Sequence, residues 1–392
     1  MSPLGSHASN GRRAKTATGR RSKKAPASKV PAQAESVPPV EFDHEELVVR
    51  RGPRTGMETI VAIHSTTLGP ALGGVRLWRY GSVLDGARDA LRLARGMTYK
   101  AAAARLQLGG GKGVIVAPEG PDLHGPRRRD ALLDFGEVVE SLGGRYITAE
   151  DVGISPEDLV AIHERTSHAT GLPPEHGGSG DPSPFTAIGV EAAIRACLAE
   201  VFGSEELHGR RIAIAGLGHV GAKLAARLAG RGAGLIVCDI DPGKQVLAED
   251  LGANWVEPDE ELLVECDVLA PCALGGAIEP DNVEKLRCAI VCGSANNVLA
   301  NDALAERLAE REILYAPDFI ANAGGLIHVY GEIHELSDEE TVALAEGIRD
   351  SISSVLETAR LREITPLAAA YELARERLKE ARLESPPARL AS

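Results

Sequence analysis

Two lysines and an aspartate in the first half of the chain could supply general acid–base chemistry. Lys112 stands in the glycine-rich stretch LQLGGGKGVIV, Lys100 precedes it in GMTYKAAAARL, and Asp151 follows in TAEDVG. Glycine lets the backbone approach another group closely, at a cost of about 0.5–1 kcal/mol per residue relative to alanine in a regular element. Taken by itself, the stretch fits equally well a turn between a helix and a strand that carries a solvated lysine.

A second stretch has the pattern of a dinucleotide-binding loop. GLGHVG at 216–221 follows the apolar run RIAIA and precedes the helical pattern VGAKLAARLA. In this arrangement Gly216 permits the tight turn, Gly218 lets a pyrophosphate approach the backbone, and Gly221 lets the helix pack on the strand. The helix N-terminus offers free N–H groups to the phosphate. The remaining residues expected to contact the cofactor in this loop are Leu217, His219 and Val220.

The acid that ends the next apolar run, LIVCD, is expected to distinguish NAD from NADP. Asp239 lies close to the position of the acid that hydrogen-bonds the ribose 2′-hydroxyl. Asp239 and Asp241 would repel a 2′-phosphate, so the sequence predicts NAD rather than NADP. The alternative for Asp239 is a capping acid in a loop. Amines and a carboxylate in one part of the chain, with a nicotinamide site in another, suggest amine–imine redox chemistry.

Length and composition narrow the class of protein. The chain has 392 residues, of which 44% are hydrophobic and 25% charged, as expected for a globular protein of two domains. No apolar run approaches the roughly 18 residues of a membrane span, and the N-terminus lacks the apolar core of a signal peptide. The six cysteines stand singly in apolar runs, which favours reduced thiols in a cytoplasmic protein. We expect no metal site and interpret His328 as an ordinary histidine.

Charge is distributed unevenly along the chain. The net charge is −13, yet residues 1–40 are rich in Lys and Arg and contain a single acid, Glu35. With its Ser, Ala, Gly and Pro, this segment is predicted to be a disordered basic tail. The tail could contact nucleic acid or another acidic surface, or it could be a dispensable extension or a misplaced start. The acidic remainder has 3% aromatic residues and offers no platform for nucleic acid.

Apolar periodicity predicts an α/β protein. Two strands around RGPRTGM open the ordered part, and a helix over about 84–106 precedes a glycine loop and the buried strand GVIVA. Beyond the Gly- and Pro-rich segment GLPPEHGGSGDPSP, short apolar runs alternate with helices. This alternation indicates a parallel sheet covered on both faces. The chain from about 338 to 383 is predicted to be helical, with a break at residues 364–366.

Together these stretches resemble the glutamate/leucine/phenylalanine/valine dehydrogenase family. The matching motifs are LGPALGGVR, ALRLARGMTYKAAAARLQLGGGKGVIV, GGRYITAEDVG, GGSGDPSPFTAIGV, GLGHVG, DVLAPCALGGAI, GSANN and YAPDFIANAGG. The resemblance implies an N-terminal α/β substrate and oligomerisation domain at 41–170 and a Rossmann-like NAD-binding domain at 171–365. It further implies that C-terminal helices at 366–386 return to the first domain, that a cleft separates the domains, and that the protein is a homo-oligomer.

The resemblance gives each of the three ionisable side chains a role. Lys112 takes the position of the family's catalytic lysine, which activates the water that hydrolyses the imine. Asp151 takes that of the carboxylate that carries a proton to and from the amino group, and Lys100 that of the lysine that binds the substrate α-carboxylate. A partly desolvated lysine near a second cation can have its pKa lowered from about 10.4 towards neutrality. The implied reaction is NAD-dependent deamination of an L-amino acid to a 2-oxo acid and ammonia.

Further site residues follow from the family motifs. Asn296 and Asn297 of GSANN and Asn322 of ANAGG match asparagines that hold the carboxylate or the nicotinamide ribose and amide. We expect Asn296 on the substrate side and the other two beside the cofactor, although the division of roles among the three stays open. Gly73 is expected to contact the substrate and Thr186 the cofactor.

The residues expected to face the side chain of the substrate predict which amino acid is used. Glutamate enzymes of the family carry a lysine in G-P-x-K-G-G and a serine past the AGG motif, where this chain has Leu72 and Val329. A carboxylate buried there without a partner would cost several kcal/mol, which excludes glutamate. The implied pocket, with Ala149 and Leu326 as its other members, is aliphatic and favours leucine, valine and isoleucine.

Two alternatives stay open. FIANAGGLIHVYG resembles a stretch of some phenylalanine enzymes, and HVYGEIHEL departs from the branched-chain members, so an aromatic amino acid is the second candidate. Ile154 stands near Asp151 where many relatives have threonine. An inactive homologue with a regulatory or binding role is a remote alternative, which the presence of Lys112, Lys100 and Asp151 disfavours.

Overall fold

The computed structural model describes residues 42–120, 123–258 and 260–384. The basic tail predicted at 1–40 lies outside the described residues, as do the last two positions of the predicted helical segment 366–386. The described residues from Asp43 onward form one compact unit. Within it two β-sheets, each with helices packed on it, form the two domains of an α/β fold.

The first domain contains a mixed sheet of five strands in the order β1-β2-β4-β3-β5. Its elements are β1 (Glu46–Arg51), β2 (Glu58–Ser65), β3 (Ala71–Trp78), α1 (Val83–Ala103), β4 (Gly109–Val116), α2 (Gly125–Glu140), β5 (Tyr146–Glu150) and α3 (Pro156–His163). β1 and β2 form the predicted hairpin, β2 is antiparallel to β4, and β3 is parallel to both β4 and β5. β3 has no counterpart in the prediction, because Gly73 and Gly74 interrupt its apolar pattern.

The glycine stretch is a strand and not the loop that its composition predicts. Gly109 to Gly113 form the first half of β4. A Cβ on Gly110 would lie 2.1 Å from the backbone nitrogen of Thr98 in α1. On the opposite face, a Cβ on Gly113 would lie 2.6 Å from Cζ of Phe135. These glycines are therefore required by close packing on both faces of a central strand.

Small side chains on α1 also let this helix pack closely on the sheet. Ser82 begins the helix by accepting a hydrogen bond from the N–H of Asp85, as an N-cap residue does. The helix turns one face to the sheet at helical spacing. The residues buried there are Gly86, Ala87, Ala90, Ala94, Thr98, Ala101 and Ala102. Because this face is small, the last turn of α1 can bring Lys100 close to the strand that carries Lys112.

The second domain contains a parallel sheet in the order β11-β10-β9-β6-β7-β8. Its elements are α4 (Ser183–Phe202), β6 (Arg211–Ala215), α5 (His219–Gly230), β7 (Gly234–Cys238), α6 (Gln245–Asp250), β8 (Asn254–Trp255), β9 (Cys266–Pro271), β10 (Cys288–Val291), α7 (Leu304–Glu310), β11 (Leu314–Tyr315), α8 (Asp318–Ala321), α9 (Gly324–Ile333), α10 (Asp338–Glu346) and α11 (Ile348–Arg362). The strand order reverses between β6 and β9, and sheets of this kind bind ligands at the carboxyl ends of the strands at that point. The predicted Rossmann-like domain is confirmed.

The last helix, α12 (Pro366–Glu384), packs on α1 and so returns to the first domain. Arg377 donates from Nη1 to the carbonyl oxygen of Ala102 at 2.7 Å and from Nη2 to that of Leu106 at 3.3 Å. Backbone carbonyls at the end of a helix lack partners within it. Arg377 therefore fixes the end of the helix on which Lys100 stands.

Neither a membrane-spanning helix nor a cluster of metal ligands occurs among the described residues. No helix within residues 42–120, 123–258 and 260–384 is long and apolar enough to cross a membrane. In the same part of the chain, no group of three or more His, Cys, Asp or Glu side chains is placed to hold a metal ion. All six cysteines are free thiols.

Gly113→Ala is expected to destabilise the protein by about 1–3 kcal/mol, because the new methyl group has no room against Phe135. Gly96→Ala is the matched control: Gly96 lies in α1, where a Cβ would meet nothing within 4 Å. Alanine there should be neutral or stabilising by up to about 1 kcal/mol. Thermal unfolding of both variants under the same conditions measures the difference, and equal midpoints would contradict the packing role of Gly113.

Candidate functional site

A cleft of about 970 Å³ is lined by residues of both domains and of the segment between them. It brings together most of the side chains that the sequence singles out. Those in its wall are Leu72, Gly73, Lys100, Lys112, Ala149, Asp151, Thr186, His219, Val220, Asn296, Asn322, Leu326 and Val329. These residues belong to motifs far apart in the chain, and folding places them around one cleft.

The alternation of side chains along strands explains the first-domain half of this wall. Leu72 of β3 is paired with Gly110 of β4, and Gly74 is paired with Ala149 of β5. Paired residues of parallel strands share a face, and so do residues two apart on one strand. Lys112 therefore lies on the same face of the sheet as Leu72 and Ala149.

Lys112 and Asp151 form a buried ion pair. Nζ of Lys112 donates to Oδ2 of Asp151 at 2.7 Å, and Lys112 is only 5% exposed. Asp151 directly follows β5 and can approach because Gly74 has no side chain: a Cβ there would lie 2.9 Å from Cβ of Asp151. An amine and a carboxylate at this distance can exchange a proton directly.

Arg76 is a functional residue that the sequence-based prediction lacks. Its Nε donates to the same Oδ2 of Asp151 at 2.8 Å, and its Nη1 donates to Asp89 at 2.9 Å. The hydroxyl of Tyr80 also donates to Asp89, at 2.7 Å. The period of β3 could have identified Arg76, since it stands at even spacing from Leu72 and so on the same face. Arg76 therefore holds the aspartate from β3, the strand between that of Lys112 and that which Asp151 follows.

The pKa values of both members of the pair lie below their usual values, for different reasons. Desolvation lowers the pKa of Lys112, the attraction of Asp151 opposes this only in part, and Arg76 lowers it further. Desolvation would raise the pKa of Asp151, but the charges and hydrogen bonds of Lys112 and Arg76 outweigh it, so that pKa lies below its usual value. Lys112 can therefore release a proton more readily than an exposed lysine while Asp151 stays ionised.

Lys100 connects the two domains through Asn322. Its Nζ donates to Oδ1 of Asn322 at 2.6 Å, and Nδ2 of Asn322 donates to Oδ1 of Asn296 at 2.8 Å. Desolvation lowers the pKa of Lys100 to about 8, against the attraction of Asp318. The ammonium form therefore predominates at neutral pH, and an ammonium has three donors, so an anion in the cleft can bind it beside Asn322.

The part of the wall expected to face a substrate side chain is aliphatic. Leu72 and Leu326 are 2% and 7% exposed. Leu326 and Val329 stand three residues apart on α9, so they share a face of that helix. Gly73 follows Leu72 on β3 and packs against the strand that carries the lysine: a Cβ there would lie 1.8 Å from the carbonyl oxygen of Gly111. Gly73 therefore supports the wall by close packing.

The loop GLGHVG fits the phosphates of a dinucleotide. Helix α5 begins directly after Gly218 without a side-chain cap, so its first N–H groups are open to an anion. Gly216 has a φ of +103°, and a Cβ on Gly218 would meet nothing within 4 Å, which leaves space for a ligand. A Cβ on Gly221 would lie 1.9 Å from the carbonyl oxygen of Gly216, so the helix packs closely on this turn. Gly216 and Gly221 have the turn and the close packing expected of them, and the approach of a pyrophosphate to Gly218 stays a prediction.

Of the other residues expected to contact the cofactor, Thr186 and Asn322 line the cleft and the rest lie outside its wall. Asp239 directly follows β7, and its Oδ2 accepts a hydrogen bond from the N–H of Leu217 at 2.6 Å. The side chain of Leu217 is buried in the core, where it supports the loop. Thr186 of α4 lines the cleft. Asn297 lies outside the cleft wall, with an exposed side chain and a φ of +51°.

Two further parts of the cleft wall come from residues to which the sequence-based prediction gave no place in the site. His328, expected to be an ordinary histidine, lines the cleft, is 5% exposed, and stacks on Phe185 with ring centroids 4.5 Å apart. Leu172 and Pro173 line it from the segment between the domains. The glycines and prolines of that segment identify a linker, but nothing in their pattern indicates that it borders a cleft.

Comparison with sequence families identifies both domains. Residues 44–168 match the family described as Glu/Leu/Phe/Val dehydrogenase, dimerisation domain, and residues 243–385 match that described as Glutamate/Leucine/Phenylalanine/Valine dehydrogenase. Residues 193–275 match the NAD binding domain of the D-isomer specific 2-hydroxyacid dehydrogenases. This last match covers the GLGHVG loop.

Individual proteins similar to this chain cover most of its length. Leucine dehydrogenase from Thermoactinomyces intermedius is 45% identical over 340 residues, which are 86% of this chain and 92% of that protein. Phenylalanine dehydrogenase from Caldalkalibacillus thermarum is 39% identical over 88% of this chain and 94% of that protein. The crystal structure of L-tryptophan dehydrogenase from Nostoc punctiforme has a TM-score of 0.76 at 37% identity, and covers 87% of this chain and 97% of that one.

Proposed function

Because the chain belongs to the glutamate/leucine/phenylalanine/valine dehydrogenase family, it is an NAD-dependent amino acid dehydrogenase, and we propose that leucine, valine and isoleucine are its preferred substrates. The reaction is the reversible oxidative deamination of the amino acid to a 2-oxo acid and ammonia. The observation that carries the proposal is the pair of Lys112 and Asp151, 2.7 Å apart in a cleft with an aliphatic wall.

Lys100 is the proposed anchor of the substrate. Its ammonium group receives the α-carboxylate through donors other than the one bonded to Asn322. Asn296, which is hydrogen-bonded to Asn322, supplies an amide on the same side of the cleft. The hydrocarbon side chain of the amino acid then lies against Leu72 and Leu326, where burial removes apolar surface from water.

Asp151 and Lys112 carry the protons of the reaction. Asp151 accepts a proton from the substrate ammonium group, which leaves the neutral amine. NAD⁺ held at residues 216–221 would supply the acceptor for the hydride of the α-carbon, which leaves this carbon and its nitrogen as an iminium group. Neutral Lys112 removes a proton from the water that attacks the iminium carbon, and Asp151 returns its proton to the amino group of the resulting carbinolamine. Ammonia then leaves and takes up the proton of the carbinolamine hydroxyl, which gives the 2-oxo acid and ammonium. Arg76 keeps Asp151 ionised before it accepts the proton of the substrate ammonium group and holds it in position.

The residues proposed to hold the cofactor lie after strands β6 and β7 of the second sheet and along the wall of the cleft. The N–H groups after Gly218 bind the pyrophosphate, and Asp239 accepts a hydrogen bond from the ribose hydroxyl. Thr186 and Asn322 border the cleft and are proposed for the nicotinamide half. Asn297 lies outside the wall, so its assignment to the cofactor has the least support.

Phenylalanine or another aromatic amino acid is the second candidate substrate. His328 lines the cleft and stacks on Phe185, and its ring offers an aromatic surface to a substrate ring. The similarity to a phenylalanine dehydrogenase at 39% identity points the same way. We favour aliphatic substrates because Leu326 takes up space that a ring would need.

We further propose that the protein is a homo-oligomer in the cytoplasm. The family that residues 44–168 match is described as a dimerisation domain, and β1 is the outermost strand of its sheet. An outermost strand can pair with that of a second copy. The six free thiols support a reducing compartment.

Lys112→Ala and Asp151→Asn are each expected to lower kcat by about 10²–10⁴-fold, because each removes a group that moves a proton. Binding of NAD, followed by calorimetry, should be unchanged in both. Lys285→Ala, at an exposed lysine of the second domain, is the matched control and should keep the activity of the parent. Near-normal turnover in either site variant would break the assignment.

The affinity for the 2-oxo acid should depend on pH through Lys100. With its pKa at about 8, this lysine is an ammonium below that pH and a neutral amine above it. The dissociation constant of the 2-oxo acid of leucine should therefore be constant up to pH about 8 and then rise by up to tenfold per pH unit. Calorimetry over this range measures it. Lys100→Arg should remove the rise, since a guanidinium stays charged; a rise that persists in this variant would assign the titration to another group.

A screen of the twenty amino acids with NAD⁺, followed by NADH absorbance, tests the substrate class. The largest kcat/KM is expected for leucine, valine or isoleucine, with differences of about 10–200-fold among them because a methylene in an apolar pocket contributes little more. Glutamate should not react. A larger value for phenylalanine would transfer the assignment to the second candidate, and no reaction with any of the twenty would indicate the inactive homologue.

A further inference from the structure

The carboxylate of Glu332 holds the loop that joins the two domains. Glu332 lies in the last turn of α9, where its Oε1 accepts hydrogen bonds from Oγ1 of Thr170 at 2.6 Å and from the backbone nitrogen of Gly171 at 3.0 Å. Its Oε2 accepts bonds from the backbone nitrogen of Ser179 at 3.0 Å and from the Ser179 hydroxyl. One carboxylate therefore binds both ends of the loop at 170–179.

This loop depends on such contacts because it has little regular structure of its own. Its one regular turn is a short 3₁₀ helix at Pro174–His176. Gly171 and Gly177 have φ values of +77° and +87°, a region that glycine enters freely but that does not by itself fix the chain. Ordering such a segment costs conformational entropy, and hydrogen bonds to an ionised carboxylate are about twice as strong as neutral ones.

The loop connects different domains at its two ends. The N–H of Thr170 donates to the carbonyl oxygen of Thr148 in β5 at 2.9 Å. This end of the loop is therefore fixed to β5, the edge strand opposite β1 in the first sheet. Beyond Ser179 the chain enters α4 of the second domain. Since α9 also belongs to the second domain, Glu332 binds that domain to the edge of the first.

The loop and α9 both form walls of the cleft. Leu172 and Pro173 line it from the loop, and Leu326 and Val329 line it from α9. A carboxylate that fixes the loop to this helix therefore determines how much space separates the two walls. Glu332 is absent from the cleft wall itself, so it would act through the residues that it holds.

The charge of Glu332 is stabilised where it lies. Burial raises the pKa of this carboxyl group, but the hydrogen bonds from Ser179, Thr170 and Gly171 outweigh burial and hold the pKa below its usual value. The carboxylate is therefore ionised at neutral pH, as the four bonds require.

We propose that Glu332 is a positioning residue that clasps the interdomain loop to α9 and thereby fixes the apolar walls of the cleft around the amino acid. Only the kinetic consequence rests on the proposed function. Loss of the clasp should weaken binding of the amino acid, because the walls formed by the loop and by α9 would no longer be held together. Binding of NAD should be preserved, since the bonds of Glu332 go to the loop and not to residues 216–221.

Hydrogen exchange on the full chain tests the clasp directly. In Glu332→Ala the amides of Gly171 and Ser179 lose their acceptor, so peptides covering 170–180 should exchange at least about tenfold faster while those of both sheets keep their rates. Glu332→Gln keeps the length but sets an NH₂ group against the donors at one end, and should give an intermediate effect. Glu339→Gln, at an exposed position in α10, is the control. Unchanged exchange of the loop in Glu332→Ala, or equal acceleration throughout both sheets, would overturn the proposal.

Kinetics of the same variants test the positioning role. In Glu332→Ala the KM for the preferred amino acid should rise about tenfold or more, while kcat changes less than about threefold and the Kd for NAD stays constant. A loosened loop with an unchanged KM would overturn the positioning role. If exchange behaves as expected and the parent oxidises no amino acid, the proposed function fails while the clasp stands.

Discussion

The structure depends on keeping the amine of Lys112 away from water beside a carboxylate. Burial of an ammonium group costs several kcal/mol, which a paired and hydrogen-bonded carboxylate offsets only in part. Asp151 and Arg76 supply that local compensation, and the rest must come from the packing of both domains. The same desolvation lowers the pKa of the lysine. Burial of this amine therefore costs folding free energy and also favours the neutral form that can accept a proton.

Glycine backbone makes that arrangement sterically possible. Lys112 is in the centre of a sheet, where Gly110 faces the backbone of α1 and Gly113 faces the ring of Phe135. Gly74 on the neighbouring strand leaves room for Asp151. The ionisable groups meet because side chains are missing around them, and close packing of backbone on backbone excludes the water that would otherwise screen their charges.

Sequence patterns revealed the parts of the site that are encoded locally. A strand, a glycine turn and a helix lie within a few residues of one another at Gly216, so their order along the chain was sufficient to predict the Rossmann-like domain. The glycines before Lys112 were predicted as a loop, since composition cannot report that another element packs against them. Arg76 could not be chosen without β3. Glu332 meets Thr170 across 162 residues, and no local pattern encodes a contact of that separation.

The two walls of the cleft differ in how freely they can change during evolution. On the sheet side, any side chain at Gly73, Gly74 or Gly110 would meet an atom closer than 3 Å. On the helical side, the wall is formed by side chains, those of Leu326 and Val329 on α9, so a substitution there changes the size of the cleft directly. Mutation can therefore alter substrate preference from the helix without disturbing proton transfer at the sheet. A lineage built on this scaffold inherits its chemistry unchanged while its specificity diverges.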